Sequence, residues 1–261
     1  MANTQRPDTH ENGPGWDAVA ALDPELLQAY RRLSEVPWAN GTLAPKVKEL
    51  VALAADCVVP GIDADGVQAH MKAALALGAT SAEIVEVLEL VSILGVHTAT
   101  MATPILLEEM AALGLKPPGM DNPAAQRVRA DFERRRGYWS PLWEAVASFA
   151  PEFLQAYLDY SVLPVERGAL DAGTRELVLI VANSVTTHLN PAGVRIHIRN
   201  ALQLGVTGAE IMEVFQLLAT AGFRTCTVAF PILAAETRPR HSTVDRATPS
   251  SEPLRGPDHG A

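Results

Sequence analysis

The chain repeats itself at a fixed offset of 127 residues. His70 answers His197, Trp16 answers Trp143, and "PELLQAY" from Pro24 answers "PEFLQAY" from Pro151. Glu49-Leu50-Val51 pairs with Glu176-Leu177-Val178, "AEIVEVLEL" from Ala82 with "AEIMEVFQL" from Ala209, and "TPIL" ending at Leu106 with "FPIL" ending at Leu233. A register held this long marks a duplicated unit. Its period exceeds that of solenoid repeats, so each repeat is expected to be a compact domain rather than one turn of an array.

Within each repeat the pattern is helical. Val47, Leu50, Val51, Leu53 and Ala54 recur at helix-like spacing in "KVKELVALAADCV". "TSAEIVEVLELVSILGVHTATMATPIL" reads as a longer helical run capped by Thr80 or Ser81, with Glu83 in its first turn. Asn190 and Pro191 open another helix, and Gly78 and Gly205 fall where helices end. No β-alternation is present, so the fold is expected to be all-α. The expected division is repeat one over 14–110, a connecting segment over 111–140 with a turn and a charged helix, and repeat two over 141–235. Residues 1–13 and 236–261 are polar ends expected to be disordered.

Nearly half of the 261 residues are apolar, enough for a substantial core, and the formal net charge is −9. That charge disfavours non-specific nucleic-acid binding, which needs a basic footprint, but leaves room for an anionic small substrate beside a local arginine. No signal segment and no bilayer-length apolar run is expected, which points to a cytoplasmic protein without a membrane partner. Arg127, Arg129, Arg134, Arg135 and Arg136 in the connecting segment read as a solvated or subunit-facing surface. Cys57 and Cys226 occupy unmatched columns and read as isolated core residues.

The arrangement of a glutamate-bearing helix, a short loop and a helix with A-H-x-x-x-A-L-x-x-G-A/V-T-x-x-E-I resembles the carboxymuconolactone decarboxylase and AhpD-like superfamily. It is carried by Glu49, His70, Ala74-Leu75, Gly78-Ala79-Thr80 and Glu83-Ile84, and again by Glu176, His197, Ala201-Leu202, Gly205-Val206-Thr207 and Glu210-Ile211. The resemblance implies two tandem AhpD-like helical domains and assembly into a ring, with three duplicated chains standing for six single-domain subunits. The peroxidase branch carries C-x-x-C-x-x-x-H, but those cysteine columns here hold Asp63 and Gly66, and Asn190 and Gly193. Disulfide-based peroxide reduction by that motif is therefore excluded, since the thiolate is the nucleophile. What remains resembles the decarboxylase branch.

The candidate catalytic residues are His197, His188, Glu176, His70 and Glu49. A histidine held by a carboxylate suits proton transfer near neutral pH, and it serves a purely structural network equally well. His97 and Arg224 share one column on an otherwise apolar face, where a guanidinium requires an anion, either a protein glutamate or a substrate carboxylate. The second repeat, with His188, Asn190, His197, Glu176 and Arg224, is the favoured site, because Asp63 and Asp65 would repel a carboxylate in the first. Arg224, Asn190 and His97 are the candidate substrate-binding residues. The leading expectation is a lyase or hydrolase without cofactor or metal, acting on a small carboxylated lactone or ring-cleavage product. Arg224 would anchor a carboxylate while His197 or His188, the former oriented by Glu176, protonates carbon. A metal site of His188, His197 and Glu176 lacks a tight ligand spacing. A helical ring acting only as a binding module is the third alternative.

Overall fold

Proline fixes where many of the helices begin. In the computed structural model, which describes residues 11–237, it occupies the first turn of α1 (Pro14–Leu22), α2 (Pro24–Asn40) and α3 (Pro45–Asp56), where the missing N–H has no intrahelical partner to lose. After α4 (Ala64–Ala76), Gly78 turns the chain with φ +86°, and Thr80 and Glu83 close a reciprocal capping box on α5 (Ser81–Ser92). A 3-10 turn over Ile93–Val96 leads into α6 (His97–Ala112). The connecting helix α7 (Pro123–Arg136) precedes the second set: α8 (Pro141–Phe149), α9 (Pro151–Arg167), α10 (Ala172–Ser184), α11 (Pro191–Gln203), α12 (Gly208–Ala219), a 3-10 turn over Thr220–Phe223, and α13 (Arg224–Glu236). No strand occurs among the described residues. The expected disorder of the two ends falls outside the described residues except at 11–13, 236 and 237, and His10, His241 and His259 lie outside them too.

The repeats are interleaved, which corrects the expectation of two separately compact domains. α1 packs on α13 and α6 on α8, so the last helix of each repeat closes against the first helix of the other. α3 and α10 meet at the centre, and the main core draws on both, with Leu50, Val51 and Leu53 beside Leu177, Val178 and Ile180. Two buried ion pairs tie the repeats together. Lys48 Nζ lies 2.7 Å from Glu213 Oε1 and Arg175 Nε 2.6 Å from Glu86 Oε1. Each glutamate also accepts two backbone N–H groups of the other repeat: Thr42 and Leu43 on Glu213, Ala169 and Leu170 on Glu86.

The long run from Ser81 is broken by its 3-10 turn, as is its counterpart in the second repeat. Ser81–Ala112 and Gly208–Glu236 are each long and apolar enough to span a bilayer, by length and hydropathy only, which corrects the expectation that no run approaches that length. The buried, paired Glu86 and Glu213 fall within these runs. The connecting helix builds a second core of Val128 and Phe132 on Trp143, Leu154 and Leu158. Its arginines pair within the chain: Arg129 with Glu133, Arg134 with Asp131, and Arg135 with Asp159 and Glu166. Arg136 bonds Ser161 and lies over the Phe132 ring.

Candidate active site

Each repeat holds one glutamate–histidine pair in the same position. His70 Nδ1 lies 2.7 Å from Glu49 Oε2, and His197 Nδ1 lies 2.8 Å from Glu176 Oε2. The central helix of each repeat supplies the glutamate and the following helix the histidine, so the carboxylate fixes the ring's orientation. Glu49 is fully buried, while 15% of the Glu176 side chain is exposed.

What surrounds each pair is borrowed from the other repeat. Interleaving carries Arg224, at the first position of α13, to His70 and not to His197. Arg224 bonds Asp56, and its Nε lies 2.6 Å from Asp63 Oδ2. Asp56 Oδ2 in turn lies 3.6 Å from His70 Nε2. This corrects the grouping of Arg224 with His197, and the anion it requires is an aspartate pair of the first repeat. The second repeat thereby loses the arginine from the group that favoured it, and Asp63, expected to repel a carboxylate in the first, is paired with that arginine.

Around His197 the same columns carry no formal charge beyond Glu176. Asn183 and Asn190 stand for Asp56 and Asp63 and bond each other at 2.9 Å, and His97 stands for Arg224. His97 Nδ1 lies 2.5 Å from His188 Nε2, the rings stacked with centroids 4.8 Å apart, and Asn190 Nδ2 is 3.5 Å from His97. Of the candidate residues, His70, Glu49 and Arg224 thus share one site, and His197, Glu176, His188, Asn190 and His97 the other. Among the described residues no three His, Cys, Asp or Glu side chains converge as a metal ion requires. His188 and His197 in particular engage different partners.

The glycine one turn before each histidine has a definite task. A Cβ on Gly66 would come within 2.0 Å of Asp56 Oδ2, and one on Gly193 within 2.0 Å of Asn183 Oδ1. The room beside the imidazole is therefore filled by the aspartate or asparagine at the end of the preceding helix. Cys57, next to Asp56, is no substitute thiolate: burial and that carboxylate push its thiol up to about 11.

A cleft of about 660 Å³ opens over His70, Asp56, Asp63 and Arg224. Trp16, Tyr30 and Phe223 wall it with stacked and tilted rings, the Tyr30 and Phe223 centroids only 3.9 Å apart. Sequence reading missed this wall, although Phe223 immediately precedes Arg224 and Trp16 had been matched across the repeats.

Burial, then His188 and His197, depress the His97 imidazole to about 4. An unfolded chain takes up that proton near 6.5, so between about 6.5 and 4 the unfolded state binds more protons and stability falls as pH falls. Urea midpoints measured from pH 7 to 4.5 are expected to decline less steeply for His97→Gln than for the wild type. Equal slopes would show that His97 is not kept neutral by the fold.

The carboxymuconolactone decarboxylase family model matches residues 24–107 and 151–235, one match in each repeat. A solved structure described as a "putative gamma-carboxymuconolactone decarboxylase subunit", from Burkholderia xenovorans LB400, is 36% identical. It superposes with a TM-score of 0.81 over 87% of this chain and 92% of its own. No curated protein matches the sequence.

Proposed function

The chain belongs to the carboxymuconolactone decarboxylase family, and from that premise we propose that it is a cofactor-independent lyase releasing CO₂ from a small carboxylated lactone or a related aromatic ring-cleavage product. The observation that supports this reading is the Glu49–His70 pair set in a cleft that also presents Arg224 and an aromatic wall. The aromatic faces receive the flat ring. Glu49 accepts the Nδ1–H of His70 and so turns Nε2 toward the substrate, where the imidazolium form carries the proton to be given. The C–C bond to the carboxylate breaks with its electron pair left on carbon, conjugated to the lactone carbonyl. Proton transfer from Nε2 then forms the C–H bond.

Arg224 takes a different part from the carboxylate anchor first expected of it. Its Nη2 and Nε are engaged by Asp56 and Asp63, and Nη1 is the donor left to steady the developing enolate oxygen. Asp63 and Asp65, which also line the cleft, disfavour a carboxylate and thereby favour its departure as neutral CO₂.

Carboxylated five-membered lactones of the muconolactone class, offered to the purified protein in D₂O, should yield one CO₂ per molecule consumed. One deuteron should appear on the carbon that loses it. Ring opening without CO₂ would make the protein a hydrolase, and no reaction across the class would remove the lyase reading.

The expected ring assembly fits the outer surface. Met101, Ile105 and Leu106 on α6 and their counterparts Val228, Ile232 and Leu233 on α13 are all exposed. Neither helix has a buried residue. Association of chains through these two matched apolar stripes would let three chains present six repeats.

A further inference from the structure

We propose that Asp56 is a proton-holding positioning residue for His70, so that the cleft carries a carboxylate–imidazole–carboxylate relay, Glu49–His70–Asp56, which the second site lacks. The inference rests on the cleft being the reaction site, and it separates two sites that the repeat alone makes look equivalent.

The fold goes to some length to put a carboxylate there. Asp56 ends α3, and its own C=O accepts the Asp63 N–H, which closes the loop to α4 and brings the side chain back over the helix start. The missing Cβ of Gly66 leaves the space its Oδ2 occupies. Arg224 holds Oδ1, which leaves Oδ2 turned toward His70 Nε2. The groups facing this carboxyl are His70 from the same repeat, whose other nitrogen Glu49 holds, Asp63 at the start of α4, and Arg224 from α13, with Asp65 and Lys72 of α4 on the cleft wall. Burial, the largest influence, raises its pKa and Asp63 adds to the rise, while His70 and Arg224 oppose it. Those opposing influences favour a carboxyl that gives and takes a proton over a permanently charged one.

In the second repeat Asn183 stands in this place. Its Oδ1 accepts from Asn190 and its Nδ2 donates to the Leu179 carbonyl, a satisfied amide that does not titrate. The two sites therefore differ at this position, where the first has a carboxyl that can hold a proton and the second an amide that does not.

The proton balance closes. When His70 has given its Nε2 proton to the substrate carbon, the Asp56 carboxylate takes one proton from solvent and passes it to the bare nitrogen. Asp56 is then again the carboxylate paired with Arg224, and one solvent proton is used for each CO₂ released. The 3.6 Å separation exceeds a direct hydrogen bond, and a small closing motion or one bridging water spans it.

Histidine imidazole titrations by NMR test this without any substrate. Asp56→Asn should lower the His70 midpoint by about one to three pH units, Asp56→Glu should restore it, and His197 should not move. The reciprocal Asn183→Asp should raise the His197 midpoint. An unmoved His70 in folded Asp56→Asn would overturn the relay. If that variant does not fold, an unmoved His197 in Asn183→Asp would do the same. Because no turnover is measured, a negative result leaves the lyase reading standing, and absence of CO₂ release leaves the relay standing.

Discussion

Glu213→Ala is expected to lower the unfolding free energy by about 3–5 kcal/mol, the range for breaking one partner of a buried ion pair. The carboxylate is 3% exposed and its partner Lys48 only 1%. Removing it strands a buried ammonium together with the N–H groups of Thr42 and Leu43, which lie 2.8 and 3.0 Å from Oε2. The Pro37 carbonyl at 2.6 Å and the Trp38 ring do not neutralise Lys48. The double variant Glu213→Leu with Lys48→Met should recover part of the loss, since no charge is then left unpaired, though two amide donors still are. Glu86→Ala, the matched change, should cost less, because Arg175 keeps 13% of its side chain in water. Urea unfolding at neutral pH measures all three. A loss below about 1 kcal/mol for Glu213→Ala would place this pair among surface bridges in worth.

These glutamates also show what a repeat does and does not reveal. Glu86 and Glu213 stand in one column of an apolar run, and Lys48 and Arg175 in another, so charge recurs on faces that ought to be buried. That recurrence was readable, yet nothing in the columns says which repeat supplies the partner. The helices, the Thr80 and Thr207 caps and the pairing of Glu49 with His70 were legible because they depend on residues close in sequence or on one helix meeting its neighbour. The exchange of terminal helices was not, since packing α13 on α1 instead of on its own repeat leaves every local pattern unchanged.

One trace of the exchange did lie in the sequence. The first repeat has Asp56 and Asp63 with His97 in the third column, whereas the second has Asn183 and Asn190 with Arg224. Taken repeat by repeat, two carboxylates face a histidine and an arginine faces two amides, and neither grouping balances. Crossing the repeats matches the arginine with the aspartates and the neutral histidine with the asparagines. The cost of burying an unpaired charge selects that crossing.

The same asymmetry sets the effect expected of the two histidines on catalysis. His70→Gln should lower CO₂ release roughly 10²–10⁴-fold, the usual worth of a positioned proton donor, while His197→Gln should leave most of it. Glutamine keeps a donor for Glu49 and much of the volume, so the loss reports the proton and not a collapsed pocket. His70 has Asp56 and Arg224 within its network and a cleft of about 660 Å³ beside it. His197 has amides in the equivalent places, and the His97–His188 pair beyond them has one member held neutral down to about 4. Steady-state rates with unfolding midpoints for both variants decide the matter. Equal losses would mean that both repeats turn over substrate and that Asp56 is dispensable to the reaction. Loss in His197→Gln alone would return the chemistry to the second repeat, and the developing enolate would then have to be steadied without Arg224.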